Sequence, residues 1–110
     1  MNRLAMSNAG STLLRLLIAR AGVPRNRILL TEIESVEWRS LTFNGERHRM
    51  SLRVSDPDSA TIVDRMCDGL SECELSAAGL IVVDIVVVAR NATADGSTSV
   101  AIEALTVNDD

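Results

Sequence analysis

The seventeen residues from Trp38 to Val54, WRSLTFNGERHRMSLRV, constrain the fold more than any other stretch of the chain. Asn44-Gly45 lies between two runs that read as strands, and Asn-Gly readily supplies the positive-φ residues of a tight hairpin turn. In the second run His48, Met50, Leu52 and Val54 alternate with Arg47, Arg49, Ser51 and Arg53, so one face is apolar and the other rich in arginine. A strict two-residue loop at Asn44-Gly45 would put Met50 and Leu52 on the same face as Arg39 and Glu37. A three-residue loop with a glycine bulge instead pairs Trp38 with Met50 and Val36 with Leu52, and this bulged turn is the expected one.

Two helices are expected. Residues 1–10 show no periodicity and read as a loose arm, with a single domain over residues 11–110. The first helix starts near Ser11 or Thr12 and stops at Gly22-Val23-Pro24. Leu13, Leu14, Leu16, Leu17, Ile18 and Ala21 give it a stripe wider than the roughly 100° arc a surface helix needs, so Leu13 and Leu17 are candidates for an interface. The second helix has Asp56 as expected N-cap and Pro57 at the first helical position. Val63, Met66, Cys67 and Leu70 fall on one side, and Asp64, Arg65 and Asp68 on the other.

The same order then recurs: helix, strand 28–38, Asn-Gly, strand; helix, strand 80–90, Asp95-Gly96, strand. Duplication or convergence would each produce these two αββ units. Joined, they predict an α+β two-layer sandwich: a four-stranded antiparallel sheet with the helices on one face. Strand 80–89, LIVVDIVVVA, is apolar on both faces except at Asp84. That implies a central position, or a helix-free face covered by another subunit.

Charge is unevenly distributed along the chain. Residues 1–53 hold nine Arg against four Glu, a balance of +5, and residues 54–110 hold two Arg against eleven acids, a balance of −9. Such asymmetry favours contact between identical subunits in which unlike patches meet. On the bulged register Arg39, Arg47, Arg49 and Arg53 share one face, where their bidentate forks suit carboxylates such as Asp64 and Asp68 of a neighbour. The net charge of −4, with one Trp, one Phe and no Tyr, argues against a nucleic-acid binder.

Chemistry finds few footholds. All eleven basic residues are Arg, which removes lysine Schiff-base reactions. Cys67 and Cys73 lack metal-site spacing and read as reduced. Asp84, inside an apolar strand, is the residue most like a catalytic group, because burial would raise its pKa; Glu32 occupies the matching position of the first unit. His48 has Ser40 and Ser51 on the same hairpin, but a hairpin alone cannot assemble nucleophile, base and oxyanion hole. Neither a catalytic set, a cofactor nor a metal is expected.

From residue 27 to about 108 an ordered set of features runs along the chain: an extended strand leading to an acidic residue and Trp38, Gly45-Glu46-Arg47-His48-Arg49, an alternating Leu52-Arg53-Val54 strand, the helix 60–70, Gly79 opening an apolar strand, Asp95-Gly96, and the closing Glu103-Ala104-Leu105-Thr106. In this set the chain resembles the tail-terminator, or tail-completion, proteins of long-tailed phages and gene transfer agents. The link Gly22 to Arg27 is shorter than the family's. The resemblance implies a structural protein without enzymatic activity that caps a finished tail tube as a ring of six. Its partners would be itself, the tail tube protein and the head-tail connector, with no membrane and no sequence-specific nucleic acid. It would be made in the bacterial cytoplasm and end in the tail of a virion or virion-like particle. The alternative is a small dimeric ligand-binding or regulatory α+β domain.

Overall fold

A computed structural model describes residues 6–77 and 79–108. The elements are α1 (Asn8–Ala21), β1 (Ile28–Arg39), β2 (Asn44–Val54), α2 (Ser59–Cys67), β3 (Leu75–Ala77), β4 (Leu80–Ala92) and β5 (Thr98–Asn108), with single 3-10 turns at Arg25–Arg27 and Leu70–Glu72. All five strands form one antiparallel sheet in the order β1-β2-β5-β4-β3. This corrects the expected four-stranded sheet from two αββ units. The second unit contributes three strands, because Leu75–Ala77 pairs with Leu80–Val82 as an extra edge. So short a segment, Leu-Ser-Ala, carries no alternation that would mark it as a strand.

Helix α1 begins earlier than expected, since Ser7 rather than Ser11 is the cap: its hydroxyl accepts from the Gly10 amide at 3.0 Å. Residues 8–10 therefore belong to the helix, and of the expected arm residues 1–5 lie outside the described residues. At the other end Gly22 takes φ 70° and closes on the Ile18 carbonyl. Helix α2 starts at Ser59, not at Pro57, and its N-cap is Asp58 with φ 61°. Arg20, in the last turn of α1, donates to the carbonyls of Met66 and Asp68 at the C-terminal end of α2. A cation there meets unpaired carbonyls and the negative end of the helix dipole.

Both helices pack on one face of the sheet. Leu13, Leu14, Leu17 and Ala21 of α1 and Ile62, Val63 and Met66 of α2 enclose a core with Ile28, Ile33, Met50, Leu52, Val54, Ile85, Val100 and Ile102. Leu13 and Leu17 are completely buried. The wide stripe of α1 is thus absorbed by the chain's own core, and neither leucine is available to another subunit.

The first hairpin turns elsewhere than the sequence implies. Its loop is Leu41-Thr42, closed by the Ser40 amide on the Phe43 carbonyl at 2.8 Å and by the Phe43 amide on the Ser40 hydroxyl at 3.0 Å. Asn44 and Gly45 lie inside β2, opposite Arg39 and Trp38, and Val36 pairs with Arg47. The expected pairing of Trp38 with Met50 is therefore wrong, and the faces of β1 are exchanged. Gly45 is required by close approach, not by a turn: a Cβ there would sit 2.0 Å from the Thr106 carbonyl oxygen and 2.9 Å from the Trp38 ring. In the second hairpin Asp95-Gly96 does lie in the turn, with Gly96 at φ 88°. The Ser97 and Thr93 hydroxyls hold the exposed Asp95 carboxyl well below the ordinary carboxylate range.

Strand β4 is not central. Beyond Val82 no strand among the described residues pairs with its outer edge, and its register shifts between Val82 and Asp84 and between Val87 and Ala89. Bulges twist an edge out of the geometry that recruits another strand.

Leu52→Ala is expected to lower unfolding stability by about 2–5 kcal/mol and Ser51→Ala by under about 0.5 kcal/mol, measured in denaturant melts. Gly45→Ala should cost about 1–3 kcal/mol by overpacking against β5 and Trp38; a neutral outcome would place Gly45 elsewhere than beneath the ring.

Candidate interaction surface

Alternation along the strands decides which side chains remain on the face away from the helices. Four rows cross the central strands there in register: Trp38, Gly45, Val107 and Ile81; Val36, Arg47, Leu105 and Asp84; Glu34, Arg49, Glu103 and Val86; Glu32, Ser51, Ala101 and Ala89. Within this surface lies a shallow concavity of about 470 Å³, whose lining includes Glu34, Val36, Arg47, Arg49, Asp84 and Glu103. Leu29 is 58% exposed, Val36 55% and Val86 43%. These apolar side chains, left in water among charged rows, make the open face the candidate for a contact with a partner.

Arg47, Arg49 and Arg53 share this open face, but Arg39 does not. Arg39 pairs with Asn44, one residue out of step with Arg47, and so belongs to the other face. The arginines are also not a lone basic patch. Strand β5, from the acidic half of the chain, inserts beside β2, and β1 flanks β2 on the other side. The basic stripe therefore runs between Glu32 and Glu34 on one side and Glu103 and Asp84 on the other. Arg49 makes an ion pair with Glu103 at 3.0 Å, both groups being substantially exposed. Such a pair contributes about 0–1 kcal/mol to folding.

The acidic candidates lie across the molecule. Asp64 is held by Arg90 at 2.8 Å, and Arg90 also donates to the Ala60 carbonyl at 3.0 Å, tying α2 to β4. Asp68 is exposed just past the end of α2, in the layer opposite the arginine face. An Arg47–Asp64 contact within one chain is thereby excluded. Glu32 and Asp84 are both exposed and stand on strands three apart, roughly 14 Å at about 4.8 Å per strand. They form no carboxylate pair, and Asp84 is not desolvated. Cys67 and Cys73 are free thiols, with Cys67 pushed up by burial.

His48, 2% exposed, sits on the helix-covered face beneath the first turn of α1. Ser35 Oγ lies 2.7 Å from its Nδ1 and Thr106 Oγ1 2.9 Å from its Nε2. Thr106 donates onward to the Glu46 carbonyl at 3.4 Å, which leaves its oxygen to accept Nε2–H, and Ser35 then donates to Nδ1. Glu46 Oε1 accepts from the capping hydroxyl of Ser7 at 2.6 Å and stands 4.0 Å from His48 Nδ1. The Ser35–His48 spacing suits a nucleophile and base, but Gly10 closes over it: a Cβ at position 10 would be 3.4 Å from Ser35 Oγ. The cluster satisfies buried polar groups and links the α1 cap to β2 and β5. The sequence does not show this cluster, since Ser35, Glu46 and Thr106 are brought to His48 by strand register and Ser7 by the docking of α1.

Among the described residues no group of three or more His, Cys, Asp or Glu could hold a metal ion, and no helix is long and apolar enough to cross a membrane. Comparison of the sequence with models of known protein families and with characterised proteins finds no match.

Burial lowers the pKa of His48, with Glu46 opposing in part. A base whose folded-state pKa is depressed stabilises the fold above its unfolded value near 6.5 and loses that contribution as pH falls through the folded value. Thermal stability should therefore drop as pH falls below about 6.5, and His48→Gln should flatten that drop. Equal slopes for the two proteins would show that His48 does not titrate differently in the fold.

Proposed function

We propose that this chain is a structural assembly protein of the tail-terminator type: a ring of six that caps a completed tail tube, stops further polymerisation and presents a surface to the head-tail connector. The observation that carries this reading is the uncovered face of the sheet, with Leu29, Val36 and Val86 exposed around alternating basic and acidic stripes. A surface that is apolar, charged in both signs and only shallowly concave suits a protein partner better than a small molecule, whose sites are typically deep. The ordered likeness of residues 27–108 to tail-completion proteins supplies the kind of partner.

The mechanism is geometric. A ring subunit matches the last ring of the tube on one side and lacks, on the other, the surface that would accept another tube subunit, so growth ends without any reaction. Ring contacts between copies are head-to-tail and close by rotation. The His48 cluster fits a supporting role, holding the α1 cap against β2 and β5 while the opposite face remains free.

Electron microscopy of purified tail tubes incubated with the protein tests this reading. Sixfold caps at tube ends, together with ends that no longer elongate when tube protein is added, are expected. Bare ends and continued growth at saturating protein would contradict it.

A further inference from the structure

We infer that the open face of the sheet is a contact between two copies of this chain, packed face to face about a twofold axis that runs along the strands between β2 and β5. That axis lays β2 of one copy over β5 of the other, and β1 over β4. Because paired residues lie at the same level, Arg49 of each copy comes over Glu103 of its partner, and Arg47 comes beside Asp84. Two crossed Arg49–Glu103 pairs replace two exposed ones, and arginine and glutamate are long enough to meet across the roughly 10 Å between packed sheets. The other in-plane axis, perpendicular to the strands, would stack arginine stripe on arginine stripe.

At the rim of the two middle rows, on the outer strands, Val36 comes over Asp84 and Glu34 over Val86; the rows towards the two ends match in kind. At one end Trp38 lies over Ile81 and Gly45 over Val107, an apolar row. The Trp38 indole N–H is buried and has no acceptor within the described residues of one copy. Nearer the other end Ser51 comes over Ala101, small against small. Four strands at about 4.8 Å by eleven residues at roughly 3.3 Å make a face of about 700 Å² per copy, close to the ~800 Å² per partner of a standard stable interface.

This pair is isologous and closes on itself, so it is a state of the free protein distinct from any head-to-tail ring contact. It does not rest on the tail-terminator reading. Docking on a larger assembly would require the pair to open and release the face.

Sedimentation equilibrium of the full chain over about 1–100 µM tests it. The wild type is expected to be a dimer, and R49E and E103R each to weaken self-association at least about tenfold by setting like charges across the contact. Mixed in equal amounts, the two variants should form a one-to-one heterodimer of near wild-type affinity, because the reversed position 49 of one copy meets the reversed position 103 of the other. A wild type that stays monomeric, single variants that associate as well as wild type, or a mixture no tighter than its components would overturn the proposal. Should circular dichroism show either reversal unfolded, Ser51→Phe replaces them: a ring inserted where Ser51 lies over Ala101 is expected to give a folded monomer, and an undiminished dimer would overturn the inference. Tube binding is not read by these experiments, so their failure and that of the tail-terminator reading are separate results.

Discussion

The seam between β2 and β5 organises this molecule. Gly45 to Val54 pairs antiparallel with Thr98 to Val107, and that ladder joins the first hairpin to the rest of the sheet. On its inner side Met50, Leu52, Val54, Val100 and Ile102 are buried against both helices. Its outer side carries Arg47, Arg49 and Arg53 beside Leu105, Glu103 and Ser99. A slip of β2 by one residue would exchange its two sets, putting three arginines under the helices and Met50, Leu52 and Val54 into water. The penalty for burying unpaired guanidinium groups would be severe, so the hydrophobic pattern alone pins the register.

The same seam explains why charge segregated along the chain is not segregated on the surface. A balance of +5 in the first half and −9 in the second would give two opposed poles if the halves folded as separate units. Strand β5 is the last strand of the acidic half yet lies beside β2 of the basic half, so the signs interleave row by row. Several arginines also serve inside the chain: Arg20 on the carbonyls of α2, Arg27 on Ser55 and Pro57, Arg90 on Asp64. What reaches the open face is a striped surface suited to self-complementary docking.

Local alternation made β2 legible, down to which residues are buried, and Gly22 marked the end of α1. Non-local choices were not. Asn44-Gly45 has the chemistry of a turn, but the glycine is there because Trp38 and the Thr106 carbonyl crowd its α-carbon, a contact with a residue far away in the sequence. LIVVDIVVV reads as a central strand because its sequence does not say that β3 stops after three residues. The wide stripe of α1 suggested an interface when it was serving two elements of the same core. The arginine face was legible as a face, and its acidic neighbours were not, since they depend on the order in which the strands assemble.

Nuclear Overhauser contacts in the free protein measure the seam most directly. Cross-strand contacts are expected from Arg49 to Glu103 and from Gly45 to Val107, with the Trp38 indole close to the Gly45 α-protons. Contacts from the Trp38 ring to the Met50 methyl group, or Arg49 facing a residue of β5 other than Glu103, would contradict this register and exchange the two faces of the sheet.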